Sequence, residues 1–138
     1  MAKISGPLLD RIDIHIEVPA VKFKELTSKS RGESSEKIRD RVIVARGIQS
    51  KRFTGKKLIY KNADMGSKEI TEYCRLDSAS EELLKMAMTK LGLSARAYDR
   101  ILKVGRTIAD LENSPNILAQ HISEAIQYRS LDRELWQH

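Results

Sequence analysis

One stretch of strict hydrophobic alternation limits the folds that are open to this chain. Isoleucine or valine occupies positions 12, 14, 16 and 18, and polar residues lie between them. This alternation predicts one β-strand over residues 12–18 with a single buried face. No other segment has a convincing pattern of this kind. Because a strand needs a neighbour for its backbone hydrogen bonds, we expect the rest of its sheet to lie outside this chain.

The remaining periodicity is helical. A helix is predicted over residues 34–53, with Ile38, Val42, Ala45 and Gln49 on one face. A polar link at residues 28–33 precedes it, and the sequence around Gly55 ends it. The predicted fold is therefore mainly α.

Four further helices are predicted in the second half of the chain. The first covers residues 67–74. The second begins at Ser78, in a capping box with Glu81, and ends at Gly92. The third begins after Ser94, ends near residue 112, and has an apolar stripe; the fourth begins near residue 118. Residues 67–128 thus predict a small helical bundle with short connections. The apolar stripe of the third helix comprises Ala97, Ile101, Val104, Ile108 and Leu111.

The net charge of +6 is unevenly distributed. Residues 21–62 hold thirteen basic and four acidic side chains, whereas residues 1–20 and 63–138 are each slightly acidic. Any contact with a nucleic-acid backbone is therefore expected from residues 21–62.

Several classes of protein are excluded by what the sequence lacks. Residues 1–6 have no apolar stretch of the kind that a signal peptide needs, and no apolar run is long enough to span a membrane, so we expect a cytoplasmic chain. One cysteine, Cys74, rules out an internal disulfide, and the three scattered histidines do not have metal-ligand spacing. No phosphate-binding loop, magnesium-binding acidic motif or dinucleotide-binding motif is present. The chain alone is therefore not expected to be a complete enzyme.

Two arginines occupy positions where a guanidinium can meet a phosphate. Arg11 lies directly before the predicted strand, where it could reach a phosphate on a neighbouring subunit, or simply pair with Asp10 or Asp13. Arg96 lies in the first turn of the third helix of the bundle, where the helix dipole disfavours a cation unless an anion compensates. The alternative for Arg96 is an ion pair with Asp99 or a solvent-directed side chain.

A third candidate is the basic stretch over residues 51–61, which contains two aromatic residues. Basic charges with interleaved aromatic rings suit contact with nucleic acid. A solvated loop that its aromatic side chains anchor to the core is the alternative. The candidate DNA-binding residues are Lys51, Arg52, Lys56, Lys57 and Lys61.

Three segments of the sequence resemble a known family. They read SGPLLDRIDIHIEVPA at residues 5–20, GLSARAYDRILKVGRTIADLE at residues 92–112 and HISEAIQYR at residues 121–129. In this order they resemble the Mg-chelatase-like AAA+ ATPases of the YifB/ComM type. One departure is Gly105, where alanine is expected and where glycine should cost about 1 kcal/mol of helix propensity.

The resemblance implies a role for each arginine. The arginine of Leu-Leu-Asp-Arg resembles a trans-acting arginine finger, which falls on Arg11, and that of Ser-Ala-Arg resembles a second sensor, which falls on Arg96. Residues 1–20 would be the end of the ATPase core, residues 21–62 a basic linker and helical arm, and residues 63–138 the helical lid.

The resemblance also implies partners that this chain lacks. The parent protein would bind ATP and Mg²⁺ through an upstream ATPase core, whereas this chain needs no cofactor of its own. It would form a homo-oligomeric ring, hexameric in the family, and act on DNA in competence or recombination, without a membrane partner. The alternative function is a stand-alone basic module that binds DNA or another protein.

Overall fold

The computed structural model describes residues 8, 11–16 and 32–129, and these form five α-helices joined by short connections. The mainly helical fold predicted from the sequence is confirmed. None of the helices in these ranges combines the length and the apolar character needed to cross a lipid bilayer. The helices are α1 Ser35–Arg52, α2 Ser67–Tyr73, α3 Ser78–Leu91, α4 Ala95–Leu111 and α5 Ala119–Gln127, with a 3-10 turn at Asn62–Asp64.

Helix α1 begins and ends within one residue of the predicted bounds. The Ser34 hydroxyl accepts a hydrogen bond from the Lys37 N–H at 3.3 Å, which satisfies one of the free donors of the first turn. The helix ends at Arg52, and Phe53 then enters the core with 3% of its surface exposed. Of the predicted face, Ala45 and Gln49 are buried, whereas the two apolar residues nearer the start of the helix stay partly exposed.

The start of α3 corrects one prediction. Its N-cap is Asp77, whose carboxylate accepts a hydrogen bond from the Ser80 N–H at 2.8 Å. Ser78 is instead the first residue of the helix, so the predicted capping box of Ser78 and Glu81 is wrong. Aspartate and serine are both good N-cap residues, so the adjacent pair Asp77 and Ser78 offered two possible N-cap positions. Gly92 ends the helix with φ 60°, in the left-handed conformation that the sequence predicts.

Helix α4 is the centre of the fold and packs against α1, α2 and α5. Ser94 caps it as predicted, since its hydroxyl accepts a hydrogen bond from the Ala97 N–H at 3.1 Å. The predicted apolar stripe is buried up to Ile108, whereas Leu111 is 38% exposed. The core around it contains Leu84, Ile101, Leu102, Val104, Ile108, Ala109, Ile117, Ile122 and Ala125.

Gly105 has a packing role that the sequence alone does not show. A Cβ at this position would lie 3.0 Å from Ile122 Cδ1 and 3.7 Å from Ile117 Cγ2. Both isoleucines are nearly fully buried, so neither has free space to move into. The glycine therefore lets α5 and the segment before it approach α4 closely, which offsets its lower helix propensity.

The predicted strand does not form in the described part of residues 12–18. Residues 12–16 are in no strand, and residues 17 and 18 lie outside the described residues. The reason is the absence of a partner strand, because the described ranges contain only one isolated bridge, between Leu76 and Ile117. The segment is held by the end of α5 instead: the His15 N–H donates to the Tyr128 carbonyl at 2.7 Å.

Candidate functional site

The first turn of α4 presents an arginine at the surface. Arg96 is the second residue of the helix, and its side chain lies at the surface. The first turn contains no acidic residue, and Arg96 makes no ion pair with any residue that the structure describes, Asp99 included. Of the two alternatives for Arg96, the ion pair with Asp99 is therefore not formed, whereas the solvent-directed side chain is observed. The free backbone N–H groups and this guanidinium together favour an anion at this end of the helix.

Residues 11–16 are docked against the same helix. Asp13 forms an ion pair with Arg100, which lies one helical turn after Arg96. The Arg129 guanidinium donates a hydrogen bond to the Ile12 carbonyl. These contacts place the segment that contains Arg11 beside the first turns of α4.

Arg11 itself is exposed. The alternative in which it pairs with Asp13 is not realised, because the Asp13 carboxylate is taken by Arg100. Asp10 lies outside the described residues. Within the described ranges Arg11 has no ion pair, and its side chain is exposed.

The basic stretch over residues 51–61 divides into inward and outward side chains. Arg52 points inward: its guanidinium donates to both oxygens of Asp110, at 2.6 and 2.8 Å, and to the Asn62 side chain at 2.9 Å. Lys56 is half-buried, 3.5 Å from a Glu72 oxygen and 5.5 Å from the centre of the Tyr73 ring. Arg52 and Lys56 thus make contacts within the fold. Of the two aromatic side chains that would anchor the loop in the alternative interpretation, Phe53 is buried, whereas Tyr60 is exposed.

The outward side chains are Lys51, Lys57 and Lys61. Tyr60, beside Lys61, is 68% exposed, and Leu58 is 80% exposed with a positive φ of 65°. Lys61 also lies 3.3 Å from the Asp64 carboxylate at the surface. Three of the five candidate DNA-binding residues are therefore exposed at the surface. The exposed aromatic ring of Tyr60 lies in the same segment.

The sequence pattern does not predict the buried polar network that surrounds Asp110. Its side chain is fully buried and accepts hydrogen bonds from Arg52 and from the Asn62 amide at 2.9 Å; Arg106 lies 3.3 Å away. Gln49 completes the network by accepting the Asn62 N–H at 2.8 Å. The sequence signal that could have revealed this network is Asp110 itself. An aspartate within the buried part of a helix requires a partner for its charge.

Two titratable side chains have structural roles. His121 is 1% exposed; its Nδ1 accepts the Leu118 N–H at 2.9 Å and its Nε2 lies 2.6 Å from a Glu112 oxygen. The hydrogen bond with His121 lowers the pKa of Glu112. Burial raises the pKa of the Cys74 thiol to about 11, which keeps it protonated and unreactive. No group of three potential metal ligands occurs among the described residues.

Comparison with known proteins supplies the family. The model of the C-terminal region of magnesium chelatase subunit ChlI matches residues 32–129, which is most of the chain. The chain belongs to this family. The model of the magnesium chelatase ChlI family itself matches residues 1–26. The five helices described above, from α1 to α5, are thus this chain's form of the ChlI C-terminal region.

Individual relatives of this ChlI-type chain agree with the family. The competence protein ComM of Haemophilus influenzae is 46% identical over 134 residues, and the uncharacterized protein YifB of Escherichia coli is 44% identical over 135 residues. Each alignment covers 96% of this chain but only 25% and 26% of those relatives. A protein of Mycobacterium bovis is 30% identical over 129 residues. The chain spans about a quarter of the length of the curated relatives it matches.

Proposed function

We propose that this chain is the lid and arginine-finger part of a ring-forming, ATP-dependent motor that acts on DNA. Arg96 would be the second sensor, which contacts the phosphates of ATP bound to the same subunit. Arg11 would be the arginine finger, which reaches ATP on the neighbouring subunit. Both roles follow from the resemblance of the Leu-Leu-Asp-Arg and Ser-Ala-Arg segments, and membership of the ChlI C-terminal family supports them.

The observation that supports the proposal best is the contrast between neighbouring arginines. Arg100 and Arg129 hold residues 12 and 13 against the helices through an ion pair and a carbonyl contact. Arg11 and Arg96, which lie in the same region, remain exposed and have no ion pair within the described ranges. An exposed guanidinium suits a phosphate, which it can bind through two parallel hydrogen bonds.

The residues of this chain fit only part of an ATP site. Arg96, with the free N–H groups at the start of α4, would hold a phosphate of ATP, and Arg11 would hold one from the neighbouring subunit. ATP supplies a phosphoryl group whose transfer develops negative charge, which such arginines stabilise. The described residues contain no cluster of carboxylates for Mg²⁺, so we assign the metal and most of the nucleotide to an upstream ATPase core.

The DNA substrate and the competence role belong to the same proposal. One relative carries the printed name competence protein ComM. We extend that role to the protein that contains this chain. We propose that this protein acts in the cytoplasm as a ring of six identical subunits.

The experiment uses a full-length protein that contains this chain. Arg11→Ala should lower the ATP turnover number at least about 100-fold, because an arginine finger contributes about 10³- to 10⁵-fold. Arg96→Ala should lower it as well, because a guanidinium that contacts a phosphate of ATP is lost. Arg75→Ala is the matched control, since Arg75 is also exposed and has no ion pair with the described residues. It should leave turnover within about twofold. Full turnover by the Arg11 or Arg96 variant would refute that residue's assignment.

A second candidate function, a basic module that binds DNA by itself, is favoured by one observation. Lys57, Tyr60 and Lys61 are exposed together in one loop, so a nucleic acid could contact both charges and the aromatic face. This function predicts that the 138-residue chain binds DNA with a strong dependence on salt. A mobility-shift assay at two salt concentrations tests it. Lys57→Glu with Lys61→Glu should abolish binding, and Lys85→Glu, on the exposed face of α3, is the control.

A further inference from the structure

The outward face of α1 has an apolar stripe that no other described element covers. Val44 is 53% exposed and Ile43 is 59% exposed, whereas the opposite face of the helix packs against α4. At Gly47 a Cβ would have no heavy atom within 4 Å. Val44, Gly47 and Lys51 line one shallow surface groove together with Ile48, Ser50 and Thr54. Exposed apolar side chains grouped in this way mark an interaction surface.

The spacing along this face is that of a helix-pairing seam. Asp40, Val44, Gly47 and Lys51 follow one another at intervals of four, three and four residues. An α-helix turns by about 100° per residue, so these four residues lie in one row. Ile43 lies beside the row on one side and Ile48 on the other. The row therefore has an apolar middle and one charge at each end.

The two end charges are of opposite sign and lie at equal distances from the centre of the row. Asp40 and Lys51 are eleven positions apart, about 16 Å along the helix axis, and the midpoint falls between Val44 and Gly47. Both side chains are exposed, and neither makes an ion pair with any other residue in the described part of the chain. Such an arrangement is complementary to itself when a second identical helix runs in the opposite direction.

We propose that α1 pairs with α1 of a second copy of this chain, antiparallel across a twofold axis. The pairing places Asp40 of each copy opposite Lys51 of the other copy. Val44 of each copy then lies against Gly47 of the other, where the missing side chain gives it room. The ion pair between Asp40 and Lys51 therefore occurs twice, because the contact is isologous.

The opposite charges at the two ends of the row favour a second copy of this chain as the binding partner. A nucleic acid would be attracted to Lys51 but repelled by Asp40 at the other end of the row. The twofold contact is also separate from the heterologous contacts that neighbours within a ring would make. The proposal therefore stands independently of the function proposed above. A helix contact about three turns long forms a small interface, so we expect weak, concentration-dependent association.

Sedimentation velocity of the 138-residue chain over a range of about 5–500 µM tests the proposal. Asp40→Lys should weaken dimerisation at least about fivefold, because two like-charge pairs replace two ion pairs. Lys51→Asp should do the same. The double variant Asp40→Lys/Lys51→Asp exchanges the charges and should restore dimerisation to within about twofold of the original. Circular dichroism confirms that each variant keeps its helices.

A control variant on the same helix shows whether the charge effects are specific to the row. Arg46 is also exposed on α1 but lies outside the row, so Arg46→Glu should leave the dimerisation constant within about twofold. A chain that stays monomeric up to 500 µM would overturn the proposal. Association that single charge reversals do not weaken, or that the double variant does not restore, would overturn it as well.

Discussion

Arg52 and Asp110 lie 58 residues apart in the sequence and form a two-point ion pair across the fold. Each terminal nitrogen of the guanidinium contacts one carboxylate oxygen, at 2.6 and 2.8 Å. The side chain of Asp110 is fully buried, and that of Arg52 is only 12% exposed. The pair therefore fastens the last turn of α1 to the last turn of α4 and fixes the basic segment to the bundle.

Removing one charge of this pair should destabilise the protein strongly. Asp110→Asn leaves Arg52 and Arg106 without their buried counter-charge, and breaking such a pair costs about 3–5 kcal/mol. Urea unfolding followed by circular dichroism measures the change. Asp40→Asn is the control, because Asp40 is exposed on α1 and should change stability by less than about 0.5 kcal/mol. A loss below about 1 kcal/mol for Asp110→Asn would contradict the structural role of the pair.

Two helical glycines should respond differently to alanine. Gly47 has open space around its Cα, so Gly47→Ala should stabilise the chain by up to about 1 kcal/mol through helix propensity. Gly105→Ala should give no such gain, because the new methyl group would press against Ile122 at 3.0 Å. Thermal or urea unfolding of dilute samples compares the two. Equal stabilisation by both substitutions would show that the close approach at Gly105 is not a constraint.

Acid should weaken the chain through Glu112 in particular. The hydrogen bond with His121 lowers the pKa of Glu112 in the folded state, so its contribution is complete above the ordinary pKa near 4.5 and is lost as the pH falls through the folded value. Glu112→Gln should therefore be less stable than the original chain at pH 6, with the difference shrinking toward pH 3. Urea midpoints at several pH values measure it. A difference that is independent of pH would argue against this cause.

Cys74 should react with thiol reagents only after the fold opens. Burial raises its pKa to about 11, so very little thiolate exists at neutral pH and the reagent has no access. Labelling with a chromogenic disulfide reagent should be slow in buffer and rapid in denaturing urea. The rate in the folded state should rise as the pH approaches 11. Rapid labelling of the folded chain at pH 7 would contradict the buried position.

The sequence was sufficient to predict the helices because their signals are local. Ser34, Ser94 and Gly92 mark helix ends through contacts within four residues, and the apolar stripe of α4 repeats with the helical period. The strand prediction was wrong for residues 12–16, because a strand needs a partner strand and the described ranges do not provide one. The sequence could not distinguish Asp77 from Ser78 as the N-cap of α3, because both residue types suit that position.

The candidate site was predictable in position but not in partners. Composition placed Lys51, Arg52, Lys56, Lys57 and Lys61 in one basic group, whereas the fold turns Arg52 toward Asp110 and leaves Lys57 at the surface. Such long-range pairing cannot be derived from spacing, because the partner is 58 residues away. The assignment of Arg11 and Arg96 came from the family resemblance, and their roles stay predictions.

Mixing two inactive variants of the full-length protein tests the central claim most directly. One partner has a disabled phosphate-binding loop in the proposed upstream ATPase core, and the other has Arg11→Ala or Arg96→Ala. A finger that acts on the neighbouring subunit predicts that the Arg11→Ala mixture regains ATP hydrolysis, because some interfaces then combine an intact loop with an intact arginine. A sensor that acts within its own subunit predicts no recovery for Arg96→Ala. Failure of the Arg11→Ala mixture to regain activity, in rings shown to contain both variants, would contradict the account.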